Sequence, residues 1–154
     1  MQSLAEMPMN ARQKTMVRDS FDQIRDMAGP LATLFYGRLF SMDPSTRPLF
    51  KGDIKLQGTK LMGMLDSVVG SLDEFGKLTP VLRELGHRHA VYGVEEGHYQ
   101  TVSTSLQWAL AQALEARFDD ETRAAWTALL DHVSTEMLAG AREGPTAAVT
   151  SKEN

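Results

Sequence analysis

The chain contains no cysteine. Disulfides, thiolate zinc sites, cysteine nucleophiles and any group held through a thiolate are therefore excluded. Apolar runs are also short. None approaches the ~20 residues that a bilayer-spanning helix needs, so no membrane partner is expected. Basic residues are not in excess: 16 lysines and arginines face 20 aspartates and glutamates, a formal net charge of −4. A nucleic-acid partner, which favours a basic face, is not expected either. The opening residues, Met1 to Pro8, include Glu6 and lack a basic start followed by an apolar stretch. No signal peptide is predicted, and the expected location is cytoplasmic.

What is present describes one globular unit. A chain of 154 residues with 42% hydrophobic content can bury a full core within a single domain. No stretch alternates with period two for long enough to make a strand, whereas the helical period recurs throughout. The expected class is all-α, with about six to eight helices. Residues 1–9 read as an N-terminal extension, 10–141 as the helical domain, and 142–154 as a polar, disordered tail containing Gly144-Pro145.

Within that domain, Asn10 is expected to cap a first helix running to about Ala28, where Gly29-Pro30 breaks it and Pro30 opens the next. Asp43-Pro44 predicts the start of a short helix ending near Phe50, and Lys51-Gly52-Asp53 a loop. A longer helix is expected from Lys55 to Leu72 with Gln57, Leu61, Met64 and Leu65 inward. Thr79-Pro80 is expected to cap and open the helix carrying Leu82, Leu85 and His89. Helices from Glu95 or Glu96 to about Ala116, and from Asp120 to Ala141, complete the set.

Of the four histidines, His89 stands apart. A histidine on a helix is usually a surface or hydrogen-bonded core residue, and His87, His98 and His132 carry no further signal. His89 has Leu85 one turn before it and Val91 and Val94 after it, an apolar face on which both ring nitrogens still need partners. Iron on one nitrogen and a backbone carbonyl on the other would satisfy both. Gln57 and Leu61 repeat the spacing of four on another helix. Gln57 is either a solvated residue or an amide donor at one end of an apolar stripe. Tyr36, between Phe35 and Leu39, is either a core aromatic or a second donor. Phe50 is either a core anchor or a ring stacked against a flat macrocycle. Together, an imidazole facing polar donors and aromatics across an apolar slot would make a haem iron pocket.

The ordered set Leu34-Phe35-Tyr36, Pro48-Leu49-Phe50, Gln57 with Leu61, and Leu85-Gly86-x-x-His89 followed by Tyr92-Gly93-Val94 resembles the globin family. It is most similar to bacterial single-domain globins related to the haem domain of flavohaemoglobins. The match runs from about Asn10 to Ala141. The resemblance implies a globin fold around haem b (iron protoporphyrin IX), with His89 as the iron ligand and Tyr36 and Gln57 as distal donors. Phe50, Leu61, Leu85, Val94 and Tyr99 would line the pocket; Lys60 is either a propionate contact or a solvated lysine, and Arg88 and His98 are further propionate candidates. In flavohaemoglobins a tyrosine and a glutamate lie near the proximal histidine. Tyr99 matches the tyrosine, while no acid stands at Ala139 to Ala141, with Glu136 and Glu143 the nearest.

O2, NO and CO are the implied ligands. Donors aimed at the partial charge on O2 would slow its release, each hydrogen bond to a charged group contributing about 1.5–3 kcal/mol. Such retention suits NO dioxygenation to nitrate, which is expected to depend on an external reductase, the resemblance covering the haem domain of flavohaemoglobins and not their flavin and nicotinamide modules. The alternative is non-enzymatic O2 binding, storage or gas sensing. A monomer or weak dimer is expected.

Overall fold

In the computed structural model, which describes residues 9–143, six α-helices account for most of the chain and no strand occurs among the described residues. They are α1 (Ala11–Ile24), α2 (Ala28–Met42), α3 (Ile54–Gly70), α4 (Thr79–Val91), α5 (Glu96–Leu114) and α6 (Asp120–Glu143). The expected all-helical class is what the structure shows. The expectations for residues 1–8 and 144–154 fall outside the described residues.

Several boundaries follow directly from capping chemistry. Asn10 accepts from the backbone N–H of Gln13, and the Gln13 side chain returns the bond to the Asn10 N–H. A cap of this kind is worth ~1 kcal/mol. Asp43 caps the 3₁₀ turn Pro44–Leu49 through the Ser45 N–H, and Asp53 caps α3 through the Lys55 N–H. Phe50 is followed by a short loop with no helix of its own before Ile54.

Three boundaries differ from expectation. The first helix ends at Ile24, not Ala28, and a 3₁₀ turn, Arg25–Met27, leads straight into α2. Proline has no N–H and its ring crowds the carbonyl four residues earlier. Pro30 therefore disturbs the helix near Asp26 and is then accommodated as the third residue of α2, where no backbone donor is needed. Thr79 does not cap α4. It is already helical, Leu78 occupies the cap position without a side-chain bond, and the 3₁₀ segment Leu72–Lys77 runs into it. Finally, α6 continues past Ala141 to Glu143.

The core forms where α2 lies on α3 and α5 while α1 crosses α6. Phe21, Ile24, Leu39, Leu110, Trp126 and Leu129 are sealed from solvent there. The Trp126 indole N–H, buried with its ring, donates to Ser20 Oγ at 2.9 Å, which removes the penalty of an unpaired donor. On the other side of the molecule α4 packs chiefly on α6. No comparable contact joins α4 to α3, the helices that carry His89 and Gln57 and on which the expected slot depends.

Candidate cofactor site

His89 lies in the last turn of α4, partly buried. Its Nδ1 is 2.9 Å from the Leu85 carbonyl oxygen one turn earlier. A carbonyl oxygen only accepts, so Nδ1 carries the proton and Nε2 keeps its lone pair. Burial is the main influence on this imidazole. It lowers the pKa below the ordinary histidine value, helped by the charge of neighbouring Arg88 and opposed by the Leu85 bond. The ring is thus a neutral nitrogen donor of fixed tautomer, which is the state a metal ligand requires.

Tyr36 is held on α2 by aromatic packing. Its ring centroid is 4.8 Å from Phe35, 5.2 Å from Phe50 and 5.8 Å from Phe40. Only 4% of the residue is exposed, and burial pushes the hydroxyl pKa up to about 12. The group therefore stays a neutral O–H donor across physiological pH. Gly58 brings the start of α3 close to this cluster. A Cβ there would stand 2.9 Å from Ala32 Cβ, tighter than ordinary contact, and 3.8 Å from the Tyr36 ring. Phe50, Leu61, Leu85 and Val94 are half-buried, between core and solvent, while Lys60 is exposed.

Gln57 departs from the arrangement expected of it. Its amide Nε2 donates to the Lys51 carbonyl oxygen at 3.1 Å, on the exposed side of the helix start. Glutamine bonds readily to a nearby loop carbonyl, and the tight Lys51–Asp53 turn places one within reach. To act as a donor into the slot, the side chain would have to rotate away from that bond. His98 also differs. Its Nδ1 accepts from the Glu95 N–H at 2.9 Å, closing the α5 cap, and its Nε2 faces Asp43 Oδ2 at 3.9 Å. Its Nδ1 is thus taken up by the helix cap, and its Nε2 faces a carboxylate within the fold. Val91, expected beside His89 on an apolar face, is 69% exposed.

The acids nearest the proximal side are also committed. Glu136 bonds Arg83 at 3.0 Å and lies 3.9 Å from His132, and Glu143 is 3.6 Å from Arg83. Sequence reasoning missed Arg83, which ties α4 to α6 through both. The one signal for it in the sequence is its position less than two turns before His89.

A flat iron porphyrin fits this set of residues. One neutral imidazole nitrogen is unclaimed by the protein, Phe50, Leu61 and Leu85 are partly buried hydrophobics beside the core, and Arg88 Nε and Tyr99 Oη are buried with no protein partner. A buried polar atom without a partner is rare and calls for one.

Residues 33–137 match the sequence profile described as Globin. The chain is 27% identical over 146 residues to neuroglobin of Danio rerio, covering 86% of this chain and 92% of that one. Neuroglobin of Tetraodon nigroviridis is 26% identical with the same coverage. Among solved structures, the hexacoordinated heme protein of an anhydrobiotic tardigrade, at pH 4, superposes with a TM-score of 0.80. It is 17% identical and is aligned over 88% of this chain and 97% of its own. At that identity the likeness concerns the fold alone, and the fold agrees with the profile match over two thirds of the sequence: this chain belongs to the globin family.

Proposed function

We propose that the chain binds haem b between α3 and α4 and reversibly takes up small gas ligands, O2, CO and NO, as a cytoplasmic monomer or weak dimer. The observation that carries this reading is the His89–Leu85 bond, which leaves one partly buried, neutral nitrogen free to ligate iron. Bound there, the group would supply an iron with one position for a diatomic ligand. The protein's own part would be to offer His89 Nε2 to the iron, to place Phe50 against the macrocycle, and to keep water away with Leu61 and Leu85. Lys60 and Arg88 would meet the propionates, and Val94 and Tyr99 would border the proximal side. Tyr36 supplies a neutral hydroxyl that can donate to a ligand carrying partial negative charge. That the relatives above are neuroglobins supports gas binding, and the ordered set from Tyr36 to His89 supports an affinity with flavohaemoglobin haem domains.

The buried Tyr36 donor favours a second reading, NO dioxygenation recycled by an external reductase. The outward turn of Gln57 favours the first, since it leaves one donor in place of two. The purified chain, loaded with haem, should show a Soret band, bind O2 reversibly, and return to the ferrous form unaltered over many cycles. Nitrate production from NO with an added reductase would select the second reading. No Soret band after reconstitution would remove both.

A further inference from the structure

Two glycines on different helices meet backbone to backbone. A Cβ built on Gly86 of α4 would lie 1.8 Å from the Met137 carbonyl oxygen of α6. A Cβ built on Gly140 of α6 would lie 1.8 Å from the Arg83 carbonyl oxygen of α4. Each glycine therefore touches the residue three positions before the other, in a reciprocal pair. Most helices keep their axes about 8–10 Å apart because side chains stand between them. Here neither helix has one at the crossing. The surrounding contacts fix the approach. Arg83 Nε bonds Glu136 Oε1 at 3.0 Å, and Leu82 is fully buried. By contrast, Gly37 and Gly63 would meet nothing within 4 Å and Gly58 would meet only side chains, so among the described glycines backbone-to-backbone approach is particular to this crossing.

We propose that Gly86 and Gly140 are positioning residues, and that their reciprocal crossing sets where α4 stands and hence where His89 holds the iron. His89 follows Gly86 by three residues, less than one turn of the same rigid helix. Restoring ordinary contact after a methyl is added at Gly86 requires α4 to move off α6 by roughly 1.5 Å, given carbon contacts near 3.5 Å. The helix packs chiefly on α6, with no comparable contact on α3 to resist that movement. His89 would be carried with it. Displacements near 1 Å are enough to change how a site works.

The inference rests on the haem reading for its consequence, though not for the crossing itself, and the experiment separates the two. Gly86→Ala, Gly140→Ala, the double variant and the control Gly63→Ala are unfolded in urea. Once one methyl has parted the helices, the second costs little. The double variant's unfolding constant should therefore lie within about tenfold of the worse single variant's. An unfolding constant equal to the product of the two single effects overturns the crossing as a unit. In the ferrous haem-bound chain, the iron–histidine stretching band should shift in Gly86→Ala and in Gly140→Ala and stay in place in Gly63→Ala. Coupled stability with an unmoved band makes the pair mere packing and overturns the positioning role. Failure of the unaltered chain to take up haem would instead remove the haem reading and leave the coupling result standing. Should either glycine variant not fold, native-state hydrogen exchange on the unaltered chain decides. Amides of residues 83–90 in α4 and 137–141 in α6 should open together with one free energy, and separate opening energies overturn the proposal.

Discussion

Gln57 Nε2 and the Lys51 carbonyl oxygen are 3.1 Å apart, a bond that folds the side chain back over the loop before α3. Tyr36, the other polar group assigned to the distal side, is fixed by three aromatic neighbours and needs no such rearrangement. The two donors are thus unequal. Gln57 must give up a bond and lose side-chain freedom to contribute, whereas the Tyr36 ring is already held by its packing.

Replacing Tyr36 by Phe should therefore speed O2 release by roughly ten- to a hundredfold, the worth of one hydrogen bond to a charged group. Gln57→Leu should change it by less. CO carries little charge when bound, so its release should respond weakly to both. Stopped-flow release of the two gases gives the comparison. An unchanged O2 rate in Tyr36→Phe, or equal shifts for O2 and CO, would show that the hydroxyl is not a distal donor.

Haem retention should depend on one histidine of the four. His89→Ala should lose the haem, while His87→Ala, His98→Ala and His132→Ala keep it. His98 is committed to the α5 cap and Asp43, and His132 packs edge-on to Phe75 at 4.9 Å. Haem content and the ferrous spectrum of the four variants are the measurement. Loss in His87→Ala with retention in His89→Ala would reverse the assignment.

The ferrous form without added gas should be mainly five-coordinate. No histidine stands on α3, and the amide of Gln57 is a poor ligand for iron compared with imidazole. A six-coordinate low-spin ferrous spectrum would contradict this and would point to Lys60 or Tyr36 moving onto the iron.

Acid should lower the stability of the fold through His132, which packs against Phe75 and lies near Glu136. Burial lowers its pKa below 6.5, and the nearby Glu136 charge offsets this only in part. A histidine whose folded pKa lies below its unfolded value binds protons more readily when unfolded. Its contribution to stability is thus fully present above pH ~6.5 and declines as the pH falls below that value. His132→Gln should flatten the loss of stability between about pH 7 and 5, measured by urea unfolding at several pH values. An unchanged slope in the variant would exclude His132 as its source.

Local chemistry made much of this fold legible in the sequence. Asn10 and Asp43 cap helices as expected, because a cap is a matter of a few adjacent residues, while Asp53, read as loop, turns out to cap α3. His89 could be singled out because its apolar face and the Leu85 carbonyl both lie within one turn of it. What escaped depends on partners distant in the chain or on competing local bonds. Thr79 was overridden by a 3₁₀ segment that reaches α4 already wound. Gln57 turned to a carbonyl that the loop happened to offer, and His98 to an N–H three residues before it. The Gly86–Gly140 meeting needs two helices to be paired before either glycine acquires a meaning. A glycine inside a helical pattern was the sole hint, since it costs ~1 kcal/mol against alanine unless something compensates.

That meeting also bears on inheritance. Positions 86 and 140 are far apart in the gene, yet a mutation enlarging one residue alters what the other can tolerate. Among descendants of this chain, the two codons should drift jointly or hold still jointly. A lineage in which one has become bulky while the other remains glycine must have found a different way to seat the helix that bears the histidine.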